Sequence, residues 1–211
     1  KKIRWQPTDE ETVDPQNQYA VSKFSQDLIV LTLGRRYHIP TVAMRYSIVQ
    51  GPRQSFYNAY SGACRIFCLS LCFDQQLVLY EDGAQLRDYV NIHDVVNVNL
   101  LVLNSQEADY QVFNVGGGQA YSVSEFAGIV ADVYGKDSTS RIPGSYRFGD
   151  TRHIVSDIGK LKGLGWSPTR TPKDSVSEYV EWLREQESVE GIQECVENHM
   201  KKLNVIRQVR S

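Results

Sequence analysis

The sequence lacks any apolar run long enough to cross a bilayer: the longest, Leu28 to Leu33 and Val98 to Leu103, are short and sit inside helical patterns. Nothing apolar follows the opening Lys1-Lys2 that could serve as the core of a signal peptide, so no membrane partner and a cytoplasmic location are expected. Charge of one sign is also missing. Lys plus Arg number 23 against 25 Asp plus Glu, a net charge of -2, which leaves no broad basic face for neutralising phosphates and argues against nucleic acid as a partner. Metal-ligand spacing is absent as well. There is no Cys-x-x-Cys pair, and His38, His93, His153 and His199 are scattered, so no metal is expected. Cys64, Cys68 and Cys72 recur every four residues along one side of a helix and Cys195 stands alone, a pattern that suits small reduced core residues. Internal repeats and low-complexity tracts are lacking too.

What is present suits a globular protein. Hydrophobic residues make up 41% and charged residues 23% of 211, enough to bury a substantial core in one large domain or two small ones. The first eighteen residues are polar and broken by Pro7 and Pro15, which predicts an extended surface loop. Helical spacing runs from Tyr19 to about Tyr37, where Pro40 stops it, and Thr41 to Tyr46 reads as a buried strand closed by the Gly51-Pro52 turn. Further on, Ala59 to Phe73 and His93 to Leu103 read as helices, and Leu77 to Tyr80, Asp88 to Ile92 and Tyr110 to Val115 as strands. A Glu81-Asp82-Gly83 turn separates the first two of these strands. Ser122-Val123-Ser124-Glu125 has the spacing of a capping box and opens a helix through about Tyr134. The tail from Lys173 is read as mostly helical, with Lys201, Lys202, Arg207 and Arg210 forming a solvated helix end. Strands and helices mix throughout, which predicts an α/β protein.

One pair of side chains suggests chemistry. In Tyr19-Ala20-Val21-Ser22-Lys23 the phenol and the amine are four residues apart, so a helix puts them on one face. A free tyrosine titrates near 10 and is a poor base at neutral pH. An ammonium ~5 Å away favours the phenolate by roughly 3 kcal/mol at an effective dielectric of about 20, enough for the pair to exchange a proton with a sugar hydroxyl. The same spacing also arises by chance on exposed helices, so the context has to decide.

That context is a series of segments in order. They are Val42 to Pro52 after the helix, Gly83-Ala84-Gln85-Leu86-Arg87-Asp88-Tyr89-Val90, Phe113 to Gly118, Gly149-Asp150-Thr151-Arg152-His153, and Leu164-Gly165-Trp166-Ser167-Pro168. Together with Tyr19 and Lys23 they resemble the extended short-chain dehydrogenase/reductase family, the NAD-dependent epimerases and dehydratases, almost to the end of the chain. Gln54 to Gly62 is similar to the branch that includes dTDP-L-rhamnose 4-epimerase-like enzymes.

The resemblance implies the C-terminal part of a Rossmann-type parallel sheet domain, residues 1–50, and a smaller mixed α/β substrate-binding domain with C-terminal helices, mainly residues 51–211. It implies NAD as cofactor, a nucleoside-diphosphate sugar as substrate, and a homodimer formed through the catalytic helices. Tyr19 matches the catalytic acid/base and Lys23 the lysine that holds the nicotinamide ribose. Arg87 and Arg152 match arginines on the substrate diphosphate, a role that suits a planar fork of always-charged donors. Asn58 and Arg53 are expected on the substrate side. Ser47 stands where the family has Asn, and Gln50 where it has an aromatic, which alters the expected substrate contacts.

The implied reaction is 4-epimerisation of a nucleoside-diphosphate hexose through a transient 4-keto sugar. A 4,6-dehydratase, a decarboxylase and a 4-ketoreductase are alternatives within the family. The family's Gly-x-x-Gly-x-x-Gly turn and its upstream Ser or Thr are not found in these 211 residues, so a non-catalytic fragment or binding module is the alternative outside enzyme function. Gly116-Gly117-Gly118 lacks the third glycine at the spacing of a dinucleotide loop. Thr8-Asp9-Glu10 imitates a dehydratase triplet but lies too near Tyr19, and is read as the acidic loop before the helix.

Overall fold

A computed structural model describes residues 4–55, 62–147 and 151–186, with the backbone of 206–208. The chain is α/β and its central strand pairs are parallel. Helix α1 (Gln18–Tyr37) leads into strand β1 (Val42–Tyr46), which pairs in parallel with β5 (Gln111–Val115), Met44 facing Phe113 in register. A second sheet has the order β2-β4-β6: β2 (Ile48–Gln50) is parallel to β4 (Leu86–Asn91), and β6 (Ala120–Ser122) is antiparallel to it. Two small pairs complete the strands, β3 (Leu77–Val78) with β7 (Ser140–Arg141) and β8 (Ser145–Arg147) with β9 (Ile206–Gln208). Among the described residues the other α-helices are α2 (Ala63–Cys72), α3 (Ile92–Leu103), α4 (Val123–Tyr134), α5 (Gly159–Gly163) and α6 (Pro172–Arg184).

Alternation along β4 divides the apolar interior in two. Tyr89 joins a cluster with Phe67 and Leu69 of α2, Phe126 and Val130 of α4, and Val176 and Tyr179 of α6. Its neighbour Val90 points the other way, into a cluster with Val95 and Val98 of α3, Phe113 and Val115 of β5, and Leu161 of α5. Successive strand residues face opposite sides, so one short strand anchors both cores.

Glycine is required where backbones meet. A Cβ on Gly34 of α1 would lie 2.2 Å from Thr41 Oγ1, so only a glycine lets the helix end close to the start of β1. At Gly116 and Gly117 a Cβ would lie 1.9 Å from Asp88 Oδ2 and from the Tyr89 carbonyl oxygen respectively. The bond from Gly117 N–H to Asp88 Oδ1, 2.6 Å, holds that glycine turn against β4. The Gly116-Gly118 segment is therefore packed tightly against β4.

Several local expectations need correction. Cys64 and Cys68 are buried with their sulfurs 4.0 Å apart, but Cys72 is exposed. Each four-residue step rotates about 40° further round the helix, and Cys72 is the last residue of α2, where the core has run out. Arg207 lies in a strand rather than at a helix end, because the returning chain pairs with β8. The strand expected to reach Tyr80 stops at Val78, since residues 80–83 make a turn with Glu81 in the left-handed region. Strand β6 was not expected; three residues are too few to show alternation. The start of the expected 59–73 helix, with Cys195, His199, Lys201, Lys202 and Arg210, falls outside the described residues.

Candidate active site

The first turns of α1 carry the predicted pair. Asn17 caps the helix by accepting a 2.9 Å hydrogen bond from Ala20 N–H, which puts Tyr19 and Lys23 on adjacent turns. Lys23 Nζ lies 5.8 Å from the centroid of the Tyr19 ring and donates weakly to Gln26 Oε1 at 3.5 Å. Tyr19 is 71% exposed, so the phenol is open to a partner from outside the described residues. Below the pair, Arg45 of β1 ties the helix down: its Nε donates to Asp27 Oδ2 at 2.7 Å and its Nη1 to the Glu10 carbonyl at 2.9 Å. Glu10 itself accepts from Asn114 N–H at 2.8 Å, so the Thr8-Asp9-Glu10 segment serves to fasten the loop before α1.

A second group of residues lines a cavity of about 290 Å³. Its walls include Ile66 and Phe67 from α2, Tyr80 and Glu81 from the turn after β3, and Arg87 and Tyr89 from β4. Gln85 Oε1 and Tyr89 Oη are buried without a hydrogen-bond partner, and both residues line the cavity. Unmet acceptor and hydroxyl groups beside apolar walls suit a ligand that brings its own polar groups. Burial raises the titration range of the Tyr89 phenol, so that group stays neutral.

Of the two arginines, Arg87 lines this cavity and Arg152 does not. Arg87 is buried, and its Nη1 donates to the Arg152 carbonyl at 2.9 Å and to its neighbour Leu86's at 2.8 Å. Arg152 forms ion pairs with Glu81 and with Asp82, the latter at 2.7 Å. Hydrogen bonding from that guanidinium, helped by Ala84 N–H, holds the Asp82 carboxyl down to about 2, and the two carboxylates raise Arg152 in turn. Next to them, burial and then the positive charges of Arg152 and Arg87 lower His153, whose Nδ1 accepts from Leu86 N–H at 3.1 Å.

The predicted residues therefore form two groups. Tyr19 with Lys23 is one and Arg87 with Arg152 the other, and neither Tyr19 nor Lys23 lines the cavity. Ser47 sits between β1 and β2, its hydroxyl donating to the Asp88 carbonyl at 2.7 Å. Arg53 is exposed with left-handed backbone, φ 66°. Asn58 lies outside the described residues. Sequence reasoning missed Glu81, Asp82, Gln85 and Tyr89. The Glu-Asp-Gly turn was visible, but nothing in it showed that its carboxylates reach an arginine seventy residues on.

Comparison with known proteins shows what the chain is similar to. The chain is 30% identical over 173 residues to the dTDP-L-rhamnose 4-epimerase of Burkholderia thailandensis, covering 82% of this chain and 47% of that one. The crystal structure of UDP-glucose 4-epimerase from Thermotoga maritima with UDP-glucose is similar with a TM-score of 0.79 and 30% identity, over 87% of this chain and 59% of that one. The dTDP-glucose 4,6-dehydratase of Streptomyces venezuelae, crystallised with NAD, gives a TM-score of 0.75 and 28% identity, over 87% and 56% of the two chains. The chain thus spans about half the length of the curated relatives it matches. With residues 2–116 matching the family as a whole, more than half of the chain, this protein belongs to the NAD dependent epimerase/dehydratase family.

Proposed function

We propose that the chain forms part of an NAD-dependent nucleoside-diphosphate-sugar 4-epimerase. The observation that carries the reading is the phenol of Tyr19 and the ammonium of Lys23 sharing one exposed face of α1, with Nζ 5.8 Å from the ring. Tyr19 takes the proton from the sugar's C4 hydroxyl and returns it, and Lys23 places a positive charge beside the phenol. The donor set also fits the cofactor: an ammonium has three N–H groups, and Lys23's one bond to Gln26, at 3.5 Å, leaves it able to hold ribose hydroxyls. Bound NAD supplies the hydride acceptor and donor for the sugar carbon. Arg87 and Arg152 anchor the diphosphate, the cavity beside them takes the rest of the nucleotide, and Arg53, Ser47 and Asn58 are assigned to the substrate side.

The division near Gly51 belongs to the same proposal, with β4, α3, β5 and α5 returning from the second part to pack against β1. So does a homodimer through α1, supported by the exposure of Val21, Leu28, Ile29 and Leu33 along that helix. No helix among the described residues is long and apolar enough to cross a membrane. A cytoplasmic setting is proposed from the buried Cys64 and Cys68, which stay unbridged at 4.0 Å.

A mass-spectrometric and NMR product assay of the full-length protein on dTDP- and UDP-hexoses tests the reaction. Epimerisation leaves the mass unchanged and inverts C4, and Tyr19→Phe abolishes turnover with the circular dichroism spectrum intact. Loss of water would instead favour a 4,6-dehydratase, the second reading, which the likeness to the Streptomyces venezuelae enzyme supports. Full activity in Tyr19→Phe would show that another group handles the proton.

A further inference from the structure

The segment before α1 joins the Tyr19–Lys23 helix to the wall of the cavity. Of the successive acids Asp9, Glu10 and Glu11, only Glu10 is not exposed. Its carboxylate Oε1 accepts from the backbone N–H of Asn114 in β5 at 2.8 Å, and its carbonyl accepts from Arg45 Nη1 at 2.9 Å. Arg45 in turn holds Asp27 of α1 and lies over the ring of Phe24, 5.8 Å from its centroid. Two residues earlier the same segment grips the cavity side. Thr8 N–H donates to the Val155 carbonyl and the Thr8 carbonyl accepts from Asp157 N–H, both at 2.9 Å. Next to them Ile154, which lines the cavity, donates from its N–H to the Leu86 carbonyl of β4 at 3.0 Å. Asn114 Nδ2 closes the strut by donating to the Thr8 carbonyl at 2.9 Å. A continuous run of bonds thus leads from β4 through Thr8 and Glu10 to α1.

Packing holds mainly the far half of that helix. Among the described residues the buried positions of α1 are Leu31 and Gly34, whereas Tyr19 and Lys23 stand in its first two turns. Proton transfer needs reacting atoms about 3–3.5 Å apart, and a displacement of about 1 Å can cost roughly a hundredfold in rate. We propose that Glu10 is a positioning residue, holding the Tyr19–Lys23 end of α1 at the distance from the cavity that the reacting carbon of a bound ligand requires. This rests on the nucleotide-sugar reading above. In this role Glu10 acts through Asn114 and Arg45 and not on the ligand. Without its carboxylate the segment comes away from β5, and the carbonyl that supports Arg45 moves with it. Tyr19 and Lys23 ride on one helix, so they shift together relative to the ligand and keep their places relative to each other.

The test is steady-state turnover of the full-length protein on dTDP- and UDP-hexoses across a range of pH, with isothermal titration of UDP and dTDP as a measure of binding alone. Glu10→Ala cuts the tie to Asn114 N–H, and Glu10→Gln keeps an oxygen that can accept it. Glu10→Ala is expected to lower kcat about tenfold, with KM and diphosphate affinity within about twofold of the parent and the pH profile of kcat unchanged in shape. Glu10→Gln should recover turnover to within about twofold of the parent, because the bond matters and not the charge. Asn114→Val, which removes the tie to Thr8 and suits a strand, should show the same split in smaller measure and decides the matter if Glu10→Ala does not fold. Parent kcat in Glu10→Ala and Asn114→Val overturns the positioning role while leaving the nucleotide-sugar reading standing. Loss of diphosphate binding with kcat unchanged overturns it too, as does a pH profile displaced in both Glu10 variants, which would mark the charge of Glu10 as its contribution. If the parent neither turns over a nucleotide sugar nor binds a diphosphate, the nucleotide-sugar reading falls and the positioning role falls with it.

Discussion

Asp27 of α1 and Arg45 of β1 meet at 2.7 Å with both side chains partly buried, and this contact fixes where the helix carrying Tyr19 and Lys23 sits on its strand. Removing the carboxylate would leave a half-buried guanidinium short of a partner. Asp27→Asn is expected to lower stability by about 1–2 kcal/mol, read as a shift in the midpoint of urea unfolding. An unshifted midpoint would mean that Leu31 and the close approach at Gly34 position α1 without help from this pair.

Two glycines should respond in opposite directions to the same change. At Gly117 a Cβ would fall 1.9 Å from the Tyr89 carbonyl oxygen, an approach that only backbone movement can relieve. Gly117→Ala is therefore expected to destabilise the fold by about 3 kcal/mol or more. Gly128 lies within α4 with nothing within 4 Å of its Cβ position, so Gly128→Ala should stabilise by about 0.5–1 kcal/mol. Thermal unfolding of the two variants checks both signs. Equal effects would show that the glycine turn moves freely away from β4.

His153 makes stability depend on pH. Its Nδ1 accepts the Leu86 N–H, and burial together with Arg152 and Arg87 lowers its titration range in the folded state. Below the ordinary histidine value the unfolded chain binds the proton first, so stability rises with pH. The contribution is complete above about pH 6.5 and is lost as pH falls from there toward the lower folded value. Denaturant titrations between pH 7.5 and 5 should show this loss in the parent and a flatter profile in His153→Asn, whose amide oxygen can still accept from Leu86. An unaltered profile in the variant would assign the dependence to another group.

Short-range geometry determined what the sequence revealed. Helix periodicity and Pro40 define α1, and the four-residue spacing places Lys23 beside Tyr19 whatever the rest of the chain does. Ser122 and Glu125 likewise make both bonds of their capping box, because a cap is built within one turn. The parallel strand pairs could be expected from strands alternating with helices, as could the α/β class. The tertiary structure decided who occupies Arg152 and which groups go without partners. Glu81 and Asp82 reach that arginine only because the turn after β3 is pinned to Ser145 and Ser124, and because Ile154 lies along β4. Gln85 Oε1 and Tyr89 Oη lack partners only because the cavity wall closes round them. Such pairings between residues far apart in sequence depend on how strands cross in space, and no local spacing encodes that.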